Sequence, residues 1–142
     1  MRDVSQHFEL IEKAVEYSSA TEAEFEILRF DATSGLIEGV IYFADGSRLE
    51  FSELVIIEKR QPTKQEYRYQ FVQNGVAVFR YDNAPHHEHV STHPHHKHVG
   101  AKILPAMEPE FGQALDEAVA LLREGTAAPA GKKRRQRKPG KG

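Results

Sequence analysis

Seven of the eight histidines in this 142-residue chain fall within one segment, Arg80 to Lys102, which reads R-Y-D-N-A-P-H-H-E-H-V-S-T-H-P-H-H-K-H-V-G-A-K. They are His86, His87, His89, His93, His95, His96 and His98; the eighth, His7, lies far upstream. Imidazole, with an ordinary pKa of about 6.5, gives or takes a proton near neutrality and is also the commonest metal ligand. The segment therefore points to proton transfer or to metal binding.

Proton transfer suits cleavage of RNA. That reaction needs a base for the 2′-hydroxyl, an acid for the departing 5′-oxygen and fixed cations for the charge on the phosphorane. His87 and His96 are the nominal acid–base pair, with His86, His95 and His98 as further candidates. Arg80 and Lys97 offer the cations, and Asp82 could hold one imidazole in the required tautomer. Tyr67 and Tyr69 could stack bases, and Asn83 and Lys102 complete the candidate substrate contacts. Such chemistry needs no cofactor. Metal binding stays open beside it: His86, His87, His95, His96, His98 and Asp82 suit zinc or nickel. Pro85 and Pro94 predict a loop here, so spacing does not say which ligands converge. Asn83 and Pro85 could equally shape the turn out of a strand, and Arg80 with Asp82 could be an ordinary cross-strand charge pair. His89 and His93 read as loop residues and His7 as helix surface.

The elements that must position this segment are an antiparallel sheet and two helices. Residues 5 to 18 predict a helix, with Phe8, Ile11, Ala14 and Val15 on one stripe and a capping box at Asp3 and Gln6. Glu24 to Phe30 is rich in strand formers, and Thr33-Ser34-Gly35 turns the chain. Asp45-Gly46 joins Leu36–Phe43 to Arg48–Glu58, and Asn74-Gly75 joins Tyr67–Gln73 to Val76–Asp82; both dipeptides suit type I′ hairpins. The run Leu54-Val55-Ile56-Ile57 breaks alternation and predicts a bulge or two-sided burial, and Gln61 to Lys64 reads as a connecting loop. Counting outward from Asn74-Gly75 pairs Tyr69 with Arg80 and Tyr67 with Asp82 on one face; a slip of one residue would swap that set. A last helix spans about Pro109 to Arg123 and ends at Gly125. The expected fold is α+β: about five antiparallel strands with an N-terminal and a C-terminal helix, a single domain over residues 1–125, and a disordered linker and basic tail over residues 126–142.

Composition narrows the function classes. There is no cysteine, so no thiolate chemistry or disulfide framework is available, and no stretch suits a signal peptide or membrane span. A cytoplasmic protein that does not engage membranes is expected. The net charge of −2 hides a division: Lys132 to Gly142 carries seven basic residues and no acid, while residues 1–131 hold 12 basic against 21 acidic residues, a balance of −9. Any RNA contact should therefore be confined to the histidine segment and the tail.

Phe79-Arg80-Tyr81-Asp82-Asn83-Ala84-Pro85-His86-His87, followed by Pro94-His95-His96-Lys97-His98, resembles the TumE family of toxins from prokaryotic toxin–antitoxin modules. The resemblance covers most of residues 20 to 122. It implies a small cytoplasmic toxin, neutralised by a partner antitoxin that carries a helix-turn-helix domain and is encoded beside it. Asp82, Asn83, His86, His87, His95, His96, Lys97 and His98 are the motif positions it carries over. Cleavage of RNA rests on the residue chemistry rather than on the resemblance. The alternative class is a non-enzymatic histidine-rich module that binds a metal or a partner.

Overall fold

The computed structural model describes residues 1–127. The expected tail, with most of its linker, lies outside the described residues. Helix α1, Val4–Glu16, starts at the expected capping box, in which the Asp3 carboxylate accepts from the Ser5 N–H while Gln6 reaches back to the Asp3 N–H. It buries Val4, Phe8, Ile11 and Val15 at helical spacing. Helix α2, Phe111–Ala127, runs through Gly125 instead of ending there. No described helix is long and apolar enough to cross a membrane.

Between the helices, seven strands form one antiparallel sheet whose order follows the sequence: β1 Glu22–Asp31, β2 Ser34–Tyr42, β3 Arg48–Glu58, β4 Gln61–Gln73, β5 Val76–Asp82, β6 His96–Val99 and β7 Lys102–Pro105. Both helices lie on one face. Phe8 and Ile11 of α1 and Phe111, Ala114, Leu115 and Ala118 of α2 share a core with Ile37, Ile41, Leu49, Phe51, Tyr69, Phe71 and Phe79 of the strands. The sheet has two more strands than expected. The expected loop does run from Asn83 to His95, but His96–Val99 turns at Gly100 (φ 62°) and pairs back on Lys102–Pro105. Histidine is a weak strand former, so this hairpin carries little signal in composition.

Other boundaries moved for identifiable reasons. Gln61 to Lys64 belongs to β4, because the turn is made one step earlier by Lys59 and Arg60, both at positive φ. Asn74 and Gly75 have φ of 54° and 74°, as a type I′ turn demands, whereas in the Asp45-Gly46 loop only Gly46 is positive. The bulge expected along Leu54–Ile57 is present on the partner strand: Leu54 pairs with Glu66 and Val55 with Lys64, leaving Gln65 over. A second bulge leaves Val78 over, since Phe71 pairs with Phe79 but Val72 with Ala77. Tyr69 therefore faces Tyr81, and Gln70 faces Arg80, which corrects the pairing counted from the turn by one residue. Tyr67, Tyr69, Phe79 and Tyr81 consequently face the helices, and Arg80 and Asp82 face the other way.

The Gln65 bulge also turns Lys64 into the core, where it completes a buried polar chain. Glu53 is 1% exposed; its carboxylate accepts from His7 Nε2 at 2.7 Å and from the Tyr69 hydroxyl at 2.5 Å. Lys64 Nζ donates to the Tyr69 oxygen at 2.7 Å and to the Pro109 carbonyl, where α2 begins, at 2.5 Å. His7 is thus buried on the core side of α1, not on the helix surface expected of it, and its partner is 46 residues away, beyond the reach of local pattern. Glu53→Ala strips both His7 and Tyr69 of their acceptor, so it should cost about 3 kcal/mol. Urea unfolding measures this, and an unchanged midpoint would show that the chain of polar groups adds nothing to stability.

Candidate functional site

The site lies on the sheet face that the helices leave open, where β5 meets β6. Arg80 pairs with His98 across the strands and Asp82 with His96, so alternation puts all four side chains on one face. Asp82, 6% exposed, is their centre. Its Oδ2 accepts from Arg80 Nε at 2.9 Å, and its Oδ1 accepts from the Ala84 N–H at 3.0 Å and lies 3.0 Å from His96 Nε2. The loop of residues 83–95 then returns His87, whose ring centre stands 4.9 Å from that of His96 and 5.5 Å from that of His98.

Hydrogen-bond roles can be assigned from chemistry. His96 Nδ1 is 2.9 Å from the Pro94 carbonyl, which only accepts, so Nδ1 donates. Arg80 Nη2 is 2.9 Å from His98 Nε2, and a guanidinium only donates, so that nitrogen is a lone pair. His96 Nε2 faces two acceptors, Asp82 Oδ1 and, at 3.1 Å, His98 Nε2. His96 is therefore placed to donate from both nitrogens. It is buried, while His87 and His98 are half-buried and reachable. Burial lowers the pKa of His87, helped by the neighbouring His96; burial and then the Arg80 charge lower that of His98. Both rings are held neutral at pH values where a free imidazole would begin to charge.

The other candidate residues are distributed elsewhere. His95, adjacent to His96, turns to the helix-covered side, where Nδ1 pairs with the Tyr67 hydroxyl at 2.9 Å and the rings stack. Tyr67 and Tyr69 are buried there, and burial raises both phenol pKa values. Lys97 also faces the helices; burial opposes its charge, but the Glu117 carboxylate, 2.6 Å away, holds its pKa up. Asn83 caps the Gln65 bulge, donating to the Gln65 carbonyl at 3.0 Å and accepting from the Tyr67 N–H at 3.1 Å. His86, His89 and Lys102 are exposed. The structure thus gathers His87, His96, His98, Arg80 and Asp82, and separates Lys97, His95, Tyr67, Tyr69 and Asn83 from them. The cross-strand match of Arg80 and Asp82 with His98 and His96 escaped the sequence, although R-x-D and H-x-H, each with its pair two apart, were its signal. Lys64 had none.

A family model described as Toxin TumE matches residues 7–125, which include the whole cluster. The chain belongs to the TumE toxin family. No curated protein and no solved structure matches it. Membership makes it the toxin of a toxin–antitoxin module and implies an antitoxin partner.

Among the described residues of this TumE chain, a group of side chains that could hold a metal is His87, His96 and His98, whose ligand atoms lie within 4.8 Å of one another. Tetrahedral zinc would bring nitrogens to about 3.3 Å apart, so at least one ring would have to move inward. The Arg80 guanidinium already occupies the lone pair of His98, placing a fixed positive charge where a dication would sit.

The lowered pKa values fix a pH dependence. His87 and His98 bind a proton more weakly in the folded chain than in the unfolded one, so protonation favours unfolding. The stability that these two rings contribute should be full above the free imidazole pKa of about 6.5 and be lost as pH drops through it. Melting temperatures at pH 7.5 and 5.5 measure the slope. His98→Gln should narrow the difference, and an unchanged difference would remove His98 as a source of it.

Proposed function

We propose that this TumE toxin cleaves RNA by proton transfer among His87, His96 and His98, with Arg80 and Asp82 as the fixed charges. The observation that carries the reading is the shared hydrogen-bonded set on the open face: a double donor at His96, a lone pair at His98 3.1 Å away, and a guanidinium bridging Asp82 and His98. A base and an acid are then poised side by side. His87, neutral and reachable, takes the 2′-hydroxyl proton as that oxygen attacks phosphorus. Arg80, about one-third exposed, faces the charge that grows on the phosphorane oxygens. As the bond from phosphorus to the 5′-oxygen breaks and Arg80 turns from His98 to the phosphorane, His98 takes the His96 proton on Nε2 and gives its own Nδ1 proton to that oxygen, leaving a 2′,3′-cyclic phosphate and a 5′-hydroxyl. Asp82 holds Arg80 and His96 in register. The antitoxin in this reading is a helix-turn-helix protein encoded beside the toxin.

A metal-binding module is the competing class, and chelation separates the two. Expression of the wild type should arrest growth and fragment RNA within minutes. His96→Ala and Arg80→Ala should still fold, with a lowered melting temperature because Asp82 loses a partner, yet cleave RNA at least about 100-fold more slowly. Lys97→Ala, altered on the opposite face, should keep its cleavage rate. Protein dialysed against a chelator should cleave as before. Activity lost on chelation and restored by zinc would install the metal; arrest with intact RNA would discard the reaction and leave the toxin.

A further inference from the structure

The two edges of the sheet are built differently. Strand β7 has four residues, an exposed Lys102 and a terminal Pro105, which are the devices that keep a sheet edge from pairing. Strand β1 is ten residues long, contains neither lysine nor proline, and exposes Ile27, Leu28 and Phe30 at 40%, 52% and 58%. A long unpaired edge with three exposed apolar side chains is a template for another strand.

The chemistry of that edge selects its occupant. On the open face β1 presents Glu22, Glu24, Glu26 and Leu28, with Phe30 beyond them in a bulge between Arg29 and Asp31, and Glu38 of β2 stands directly opposite Glu26. Glu24, Glu26, Glu38 and Glu50 line a shallow groove there, with Arg68 at its far side. A second copy paired antiparallel about a two-fold axis would set Glu22, Glu24 and Glu26 of both chains on one continuous face, where like charges repel. The chain's own basic stretch, Lys132 to Lys141, contains no large apolar residue to cover Leu28 and Phe30.

We propose that the β1 edge receives an extended segment of the antitoxin, which pairs as an eighth strand. On one face that segment carries lysine or arginine over Glu24, Glu26 and Glu38, and apolar side chains beside Leu28 and Phe30. Main-chain hydrogen bonds supply affinity and the alternate side chains supply specificity. The inference rests on membership of the toxin family and not on the RNA chemistry. Four strand spacings, about 19 Å, separate β1 from β5, so the edge serves as an anchor apart from the histidine cluster.

The test uses the full chain carrying His96→Ala and the product of the neighbouring gene, purified separately and together, with hydrogen exchange followed by mass spectrometry. Amides of residues 22–31 should exchange at least about tenfold more slowly in the complex. Two double variants, Leu28→Lys with Phe30→Lys and Glu24→Lys with Glu26→Lys, should each weaken binding at least about tenfold. The second should lose more affinity at low salt than at high salt, and thermal melts establish that both fold. A complex that forms without slowing exchange in residues 22–31 would overturn the proposal, as would equal affinity in both variants. A chain that dimerises alone with this strand protected would replace the antitoxin by a second copy. Growth arrest by the wild type without any complex would also sink it while leaving the toxin assignment standing.

Discussion

A carboxylate held away from water is the constraint around which the open-face cluster is arranged. Asp82 is 6% exposed, and a charge so placed must be matched by donors and by opposite charge. Arg80, His96 and the Ala84 N–H supply that match. Meeting it fixes the Arg80 fork, aims His96 Nε2, and sets the exit of the chain from β5 into the loop. The positions of His98 and His87 follow, because one is held by Arg80 and the other lies against both rings.

Two extra residues decide which side chains take part. Were Val78 paired opposite Phe71 in place of bulging, β5 would present Phe79 and Tyr81 to the open face and turn Arg80 and Asp82 into the core beneath the helices. Were Gln65 paired opposite Val55, Lys64 would face away from Tyr69 and the segment that leads into α2. Bulges cost ladder hydrogen bonds, and the Asn83 amide restores two of them, at the Gln65 carbonyl and the Tyr67 N–H. A residue that sequence logic offers equally to substrate binding and to turn shaping is therefore seen at work in the backbone.

Legibility followed the same lines. The capping box, the second hairpin and the apolar stripes of both helices were readable, because each is a local pattern with a local cause. The gathering of Arg80 and Asp82 with histidines was readable as residue types in one segment. Their pairing was not, since alternation converts a one-residue bulge into exchange of an entire face, and the bulge at Val78 has no marker such as glycine. The same parity places Lys97 against Glu117 rather than beside His96 and His98. His7 and Glu53 escaped for a different reason: their contact spans 46 residues, and neither neighbourhood announces it.

Adjacent residues His95 and His96 join the two polar systems of the molecule. One pairs with Tyr67 on the helix side, and the other pairs with Asp82 on the open side. Tyr67 lies tilted against Tyr69, ring centres 5.5 Å apart, Tyr69 donates to Glu53, and Glu53 accepts from His7 of α1. The backbone between the two histidines is thus gripped from both faces of the sheet, and the placement of His96 depends on groups that never approach the open-face cluster. Burial makes that dependence steep, because a polar group in the core left without its partner costs far more than the net gain of the bond it made. The helix-side chain of His7, Glu53, Tyr69 and Lys64 is then best understood as the rigid backing of the histidine cluster, and the open face stays free for whatever the cluster acts upon.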